Sequence, residues 1–559
     1  MSKTCNFAAE KGQLLYNYHI MKKFLFILAP IVLAACHKSN YVLLSVKPQR
    51  IEVTKALDAR PVAEAQAFIA PYCIGVDSLE KPRVGQSQLY MPASRPESLL
   101  SNWVADVLVA TGVQLGYKPD LGLCNIGGLR AAMPQGVLRR GDIISIAPFE
   151  NFFTILRLRG NDVIDLMSDI AKQHGEGVSS GARLVITKDG RLRSATLGGK
   201  PINPDSIYTI ATLDYLAEGN DNLNALKKSV ERLDTRTPVR DALMDYLRNL
   251  DAQGLSATAA IEGRIIESDE GEAPQAVRQT EIGSREQAEI NIRSISKGDR
   301  EVKDLLILHT NDSHSCIMPL NPNLSDTAQA DKGGYLRRAA LIRDLRESNP
   351  DLLLFDCGDF SQGSPFYSLY RGDVEVGLMN IMGYDAATIG NHEFDFGLEN
   401  MARIFRMAKF PIVCCNYDFT GTPVEGLVHP FVVIERNGLR VGVTGVSPEL
   451  KGLVAEHTCA GVVYNDPIKS LQAVVNRLRG KERCDLVICL SHLGWQVKGC
   501  SDEELIPSTK GVDVVLGGHS HTYFASPQVL QNLNGTSVPD NQMGKNARYV
   551  GTLRLKVAK

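Results

Sequence analysis

The chain has 559 residues, a net charge of −2 at neutral pH and 44% hydrophobic content, which calls for two or more domains with real cores. A charge so close to zero gives no electrostatic case for binding polymeric nucleic acid. The 12 cysteines include no CxxC pair, which argues against zinc-ribbon chemistry.

In chain order, Met21-Lys22-Lys23 is a basic start, Phe24 to Leu33 a largely apolar run, and Leu33-Ala34-Ala35-Cys36 its end. A run of about 10 apolar residues is too short to span a bilayer as a helix and suits a signal peptide. Its ending resembles a bacterial lipoprotein signal, which implies lipidation at Cys36 and a protein anchored to the membrane on the periplasmic or outer-surface side of the bacterial envelope. Residues 1–36 are therefore an upstream extension plus signal, with Met21 a serviceable start, and 37–84 are a tether. No later segment offers about 18 apolar residues free of charge, so nothing else is expected to span a membrane.

Residues 85–266 alternate strand-like and amphipathic runs, the pattern of an α/β domain. They carry Cys124-Asn125-Ile126-Gly127-Gly128-Leu129-Arg130, then Pro148-Phe149-Glu150-Asn151, then Tyr208 to Thr212 leading to Tyr215-Leu216-Ala217-Glu218-Gly219-Asn220-Asp221. An arginine after a glycine pair lets a guanidinium reach a phosphate where backbone approaches closely. Phe149 and Tyr215, on separate loops, are placed to sandwich a base, although each signal alone also fits a surface arginine and packed aromatics. Residues 267–302 are polar, mixed in charge and free of aromatics, the composition of a linker. Fully extended, such a segment reaches about 120 Å, enough for two domains to meet within one chain or between chains.

Residues 303–559 hold five loops, each closing a short apolar run that reads as a buried strand: Leu305 to Leu308, Leu352 to Phe355, Ala386 to Ile389, Leu486 to Leu490 and Val512 to Leu516. The loops are Asp312-Ser313-His314, Gly358-Asp359, Gly390-Asn391-His392-Glu393, Ser491-His492 and Gly517-Gly518-His519-Ser520-His521. Ligands beyond the carboxyl ends of strands converge on one crevice. Asp312, His314, Asp359, Asn391, His492, His519 and His521 supply nitrogen and oxygen donors, which suit Zn, Mn, Fe or Co. One tetrahedral ion needs about four ligands, so this set fits two ions sharing one carboxylate, with Asp359 the natural bridge. Asp356 and His309 read as structural, and His429 and His457 carry no motif. Cys357, Cys414, Cys415 and Cys489 lie in apolar runs and read as small buried hydrophobes. Tyr335 to Arg346 and Pro467 to Arg479 read as amphipathic helices.

The five motifs, in this order, resemble the calcineurin-like metallophosphoesterases, and within them the 5′-nucleotidase family. The motifs of residues 85–265 resemble the substrate-binding domain of the same family. The resemblance implies an α/β chain: a 5′-nucleotidase substrate-binding-type domain, then a metallophosphoesterase β-sandwich flanked by helices. It implies a first ion on Asp312, His314, Asp359 and His521, and a second on Asp359, Asn391, His492 and His519. His392 then stabilises the transition state beside the substrate phosphate, oriented by Asp395. Asn125 and Arg130 bind the phosphate or its neighbourhood, and Arg95 is a second phosphate arginine. Phe149 and Tyr215 wall the base slot, Asn151 is a polar contact beside it, and Asp221 meets the ribose hydroxyls.

Two departures stand out. The family pattern Gly-Gly-Asp-Gly-aromatic reads here Gly219-Asn220-Asp221-Asn222-Leu223, with asparagine, the next best tolerated residue at positive φ, in place of two glycines. The domain order is also reversed, since the family places the metal domain first. The implied activity is hydrolysis of nucleotide phosphate esters, a small-molecule substrate, by a metal-bound hydroxide. A phosphatase, UDP-sugar hydrolase or 2′,3′-cyclic nucleotide phosphodiesterase for another small phosphate ester is the alternative within enzymes. A non-catalytic surface binding lipoprotein is the alternative outside them.

Overall fold

The computed structural model describes residues 41–268, 288–293, 301–321 and 328–559. Met21, Cys36 and the signal-like run lie outside them, as do 269–287 and 294–300 of the expected linker. No helix among the described residues is long and apolar enough to cross a membrane.

The C-terminal half is a sandwich of an eight-stranded and a six-stranded sheet. Val302–Thr310, Leu353–Asp356 and Ala386–Ala387 run parallel in the first, and Leu439–Val446, Leu486–Ser491 and Val514–Leu516 run parallel in the second. All five apolar runs thus form strands. Strands buried on both faces read as continuous apolar segments, because helices cover the outside of each sheet. Leu305, Ile307, Leu353, Phe355, Val441, Ile488, Val514 and Leu553 fill the space between the sheets. The amphipathic stretches are helices Tyr335–Ser348 and Pro467–Gly480. Cys357, Cys414 and Cys489 are buried, Cys415 is half-buried, and all four are free thiols.

The N-terminal half is built on a five-stranded sheet in the order Glu231–Pro238, Phe152–Arg159, Ile207–Leu213, Leu121–Cys124, Gly177–Val178. Ile207–Leu213 runs parallel to Leu121–Cys124 and antiparallel to Phe152–Arg159, with Leu213 opposite Phe153. The loops after Cys124, before Phe152 and after Leu213 therefore leave the sheet at the same end, which gathers Asn125–Arg130, Phe149–Asn151 and Tyr215–Asp221.

The described part of the expected tether, residues 41–84, is not a tether. Val42–Glu52 is a strand inside the eight-stranded sheet of the other half, paired antiparallel to Tyr549–Ala558 from Val42 opposite Ala558 to Glu52 opposite Tyr549. A 3-10 turn, Lys55–Ala59, and a helix, Ala63–Glu80, follow. Val53, Ala65, Ile69 and Val76 share one buried cluster with Leu308, Leu354, Phe366 and Val374 of the C-terminal half. The described part of the expected linker also pairs, Ile290 with Val46 and Asn291 with Ser45.

Candidate metal centre and the crevice it faces

Five expected ligands sit in left-handed backbone: Asp312 at φ +46°, His314 at +45°, Asp359 at +55°, His519 at +71° and His521 at +56°. Such conformations cost non-glycine residues about 1–2 kcal/mol each and persist where surrounding structure over-determines them. Here hydrogen bonds between loops do so. Asp312 N donates to Gly358 O at 3.0 Å, His314 N to Asp359 O at 3.0 Å and His519 N to the Asp312 carboxylate at 3.0 Å. The glycines in the motifs permit the approach: a Cβ on Gly390 would lie 2.1 Å from Asp359 Oδ1, and one on Gly518 2.9 Å from His492 Nδ1.

The side chains gather in overlapping groups whose donor atoms lie within 4.8 Å of one another: Asp312, His314 and His521; Asp359, His492 and His519; and His314, Asp359 and His392. His314 Nε2 faces His521 Nε2 at 2.8 Å, and His492 Nε2 lies 3.2 Å from Asp359 Oδ2. His492 Nδ1 donates to Cys357 O at 2.6 Å, so Nε2 is the atom turned inward, and against the effect of burial Asp359 raises this ring to about 10 among the chain's own groups, a proton that a bound cation would displace. Burial holds His314 and His521 well below the usual imidazole range, helped in His314 by His521 and in His521 by Lys545. Burial, then His492, brings His519 down to about 4. These are the neutral rings that metal ligation requires.

The site fits a cation by its own chemistry. Asp312 and Asp359 are both buried, Asn391 Oδ1 is buried without a hydrogen-bond partner, and every donor is nitrogen or oxygen. Two buried carboxylates this close need positive charge between them. His314 and Asp359 each belong to two of the three groups, and Asp359 is the carboxylate that links the His314 side of the site to His492 and His519.

His392 and Asp395 do meet: His392 Nδ1 lies 3.1 Å from Asp395 Oδ2, and the His392 backbone N–H donates to Asp359 Oδ1 at 2.9 Å. Burial opposes charge on this ring, yet Asp395 and then Asp359 raise it to about 9 among the chain's own groups. The imidazolium stands at the mouth of a cavity of about 430 Å³ lined by both halves of the chain. Asn125, Arg130, Phe149, Asn151, Tyr215 and Asp221 line one side, and Asn391, His392 and Asp395 the other. The Phe149 and His392 ring centroids are 6.0 Å apart. Arg130 feels Asp359, Asp312 and Asp395 across the gap. Asp221 accepts from Asn125 Nδ2 at 2.5 Å and from Tyr215 Oη at 3.1 Å. Asp221 and Asn222 hold φ +53° and +61°, so asparagine does take a left-handed position in the altered loop.

Arg95 is elsewhere. Its guanidinium bonds Gly175 O at 2.9 Å and the buried Glu176, whose other oxygen accepts from Ile126 N at 2.5 Å. It braces the turn that carries Asn125 and Arg130 and does not line the cavity. His309, bonded to Asn541 at 3.0 Å, and Asp356, bonded to Thr310 at 2.6 Å, are structural.

Several residues of the site carry no separate signal in the sequence. The buried Glu393 carboxylate accepts from Asp359 N, Ser361 N and Gly390 N, tying two ligand loops together. It lies within a motif whose spacing gives it no role of its own. Gln362 lines the cavity with both side-chain polar atoms buried and unpartnered. Lys545 lies beside Arg130 and Asp312, where burial and then Arg130 lower it to about 8. His457 joins Leu453, Val454, Ala455 and Thr458 as a further wall. For Gln362, Lys545 and His457 only the fold makes the connection.

Comparison with known proteins finds two family matches along the chain. Residues 80–228 match the family model of the 5′-nucleotidase C-terminal domain, and residues 305–523 that of the calcineurin-like phosphoesterases. The 5′-nucleotidase of Bos taurus is 30% identical over 272 residues, covering 45% of this chain and 46% of that protein. The trifunctional nucleotide phosphoesterase protein YfkN of Bacillus subtilis is 26% identical over 406 residues, covering 64% of this chain and 26% of that protein. Among solved structures, the 5′-nucleotidase precursor from Thermus thermophilus aligns at 31% identity with a TM-score of 0.41, covering 45% of this chain and 51% of that one. The chain thus spans about half the length of the 5′-nucleotidases it matches. Its match to the 5′-nucleotidase C-terminal domain precedes its match to the calcineurin-like phosphoesterases, the reverse of the order expected from the family.

Proposed function

We propose that this protein is a metal-dependent phosphoester hydrolase acting on nucleotides, with two divalent ions in its C-terminal domain. The observation that carries the reading is the single cavity onto which both modules project, with metal-ligand loops on one wall and Arg130, Phe149 and Tyr215 on the other. Asp312, His314, Asp359 and His521 would hold one ion, and Asp359, Asn391, His492 and His519 the second. When bound, such ions supply Lewis acidity and an activated water at neutral pH. The chain's own groups do the rest. Arg130 and the His392 imidazolium bring two positive charges to a phosphate placed between the walls, where charge develops during transfer. The Asp395 carboxylate fixes the His392 ring and keeps its proton on. Phe149 and Tyr215 give a planar base two aromatic faces, and Asp221, already aimed by Asn125 and Tyr215, is left to accept from a ribose hydroxyl.

Export and a lipid anchor at Cys36 belong to the same proposal, supported by the run that ends Leu33-Ala34-Ala35-Cys36. A nucleotide phosphoesterase on the envelope would act on nucleotides outside the cytoplasm.

The test is phosphate release from AMP, UDP-glucose, 2′,3′-cyclic AMP and an aryl phosphate with added Mn or Zn, with Asp359→Asn as the blank. Metal-dependent release that favours a nucleotide and weakens in Arg130→Ala is expected. Release from the aryl phosphate alone, indifferent to Arg130, would assign the N-terminal module to another substrate. Metal binding without release from any of them would overturn the enzymatic reading.

A further inference from the structure

We infer that residues 41–80 are a docking arm, and that this arm, not the peptide connection through 269–300, holds the substrate-binding module to the phosphoesterase body. The arm precedes the substrate-binding module in sequence yet belongs in space to the body. Its strand, Val42–Glu52, pairs along the whole length of Tyr549–Ala558, from Ala558 to Tyr549. Without it, that long strand would present an open apolar edge of Leu553, Leu555 and Val557, which natural sheets avoid. Addition of a strand to a sheet edge is also a recurring way for separate polypeptides to bind.

The contacts past the strand are those of a built interface. Val53 N donates to Arg548 O at 2.7 Å, and Gly333 N to Val53 O at 2.8 Å. Asp58 takes a two-pronged bond from the buried Arg337 at 2.8 and 2.7 Å, and Arg60 pairs with Asp344 at 2.7 Å. The helix Ala63–Glu80 then lies on helices Pro365–Tyr370 and Asp373–Met382 at glycine-wide clearance. A Cβ on Gly75 would sit 2.0 Å from Tyr370 Oη, and one on Gly377 2.1 Å from Phe68 Cζ. Tyr370 Oη donates to Tyr72 O at 3.1 Å. At its far end the same helix reaches the substrate-binding module, where a Cβ on Gly141 would meet Glu80 Cβ at 2.8 Å. One helix thus spans both bodies beside the cavity and sets how they face each other.

The described part of the connection lies at the rim. Ile290–Asn291 pairs with the outer side of the arm strand, and Glu289 bonds Ser45 and Lys556. The residues that flank the paired strands, Tyr41 before Val42 and Lys559 after Ala558, also come near each other. Tyr41 and Lys559 stand at the same end of the ladder, ring centroid and Nζ 6.0 Å apart.

The test is to place a specific protease site between residues 272 and 282 of the full chain, cut it, and measure native mass by light scattering during gel filtration. The two fragments are expected to co-elute at the mass of the uncut chain; their separation on cutting would overturn the inference. Gly75→Leu, which drives a side chain into Tyr370, is expected to raise fragment dissociation at least tenfold in the cut protein while the uncut chain stays a single species. Cut Gly75→Leu protein as tightly associated as the parent would show that the arm is not the clamp. Should Gly75→Leu misfold, Asp58→Ala, at a half-exposed position, is expected to speed dissociation less steeply and without loss of the fold. Mass and folding are the readouts, so the outcome is independent of whether the proposed hydrolysis is observed.

Discussion

Across the cavity the two walls are held in different ways. On the phosphoesterase side, Asp312, His314, Asp359, His519 and His521 all occupy left-handed backbone, knitted by N–H groups donated from loop to loop. On the substrate side only Gly219, Asp221 and Asn222 of the cavity loops do so. There the positioning is by side chains, Asn125 and Tyr215 on Asp221 and Arg95 with Glu176 beneath Ile126. Backbone that is strained and over-determined tolerates little change, whereas a wall of side chains is retuned one residue at a time. On the proposed function the metal wall would carry the chemistry common to phosphate esters, and the facing wall the choice among them.

The sharpest way to break this contrast is at its centre. Asp359→Asn should abolish release from every phosphate ester in a panel, nucleotide and aryl alike, by on the order of 1000-fold, with a fall in bound metal by elemental analysis. Activity kept on the aryl ester would mean that the two walls do not divide the chemistry in this way. Glu393→Gln tests whether loop knitting matters as much as ligation. It keeps the shape but weakens three N–H bonds, and a loss of about 10–100-fold in metal affinity is expected, read by metal titration. An unchanged affinity would remove Glu393 from the site.

On the other wall the expected effects are smaller, and only that of the base slot is selective. Arg130→Ala removes a charge facing the metal ligands, so kcat/KM should fall on all esters, by about 10-fold or somewhat more. Phe149→Ala should raise KM for a nucleotide by about 3–10-fold and leave the aryl phosphate within twofold. Equal effects of Phe149→Ala on both substrates would show that its ring serves the metal wall and not a base.

The smallest effect concerns the brace beneath the substrate wall. Burial raises the Glu176 carboxyl to about 6, against the pull of Arg95 and the Ile126 N–H. A carboxyl whose folded value exceeds its unfolded one contributes stability that is present in full below the unfolded value, about 4.5, and lost as pH rises through about 6. The lost contribution is about 2 kcal/mol. Unfolding of Glu176→Gln, followed in denaturant from pH 4 to 7, should lack that part of the slope. Parallel curves for the two proteins would mean that Glu176 titrates no differently folded and unfolded.

Most of the metal wall was legible because its information is local. Asp312-Ser313-His314 and Asn391-His392 are contiguous, each follows a strand whose apolar run is continuous, and parallel strands deliver their C-terminal loops to one edge. Arg95 misled because an arginine before a helix looks alike whether it meets a phosphate or Glu176, a partner 81 residues away. The arm was misread for a similar reason. Pro48 argues against a strand, Pro71 against a helix, and the strand's partner begins at Tyr549. Gln362 and Lys545 have no pattern of their own and become site residues only by what they face.

By itself the sequence determined which residues are the candidate metal ligands, which loops carry Arg130, Phe149 and Asp221, and that two α/β modules stand in reversed order. These are short-range matters, since ligand spacing, strand periodicity and turn glycines all act within about ten residues. Only the tertiary structure decided that the two walls close on one cavity within a single chain, that Arg95 is a brace, and that residues 42–80 belong to the far module. Each of those depends on a pairing or a packed face between segments distant in sequence, where the free energy comes from contact and burial that no local pattern encodes.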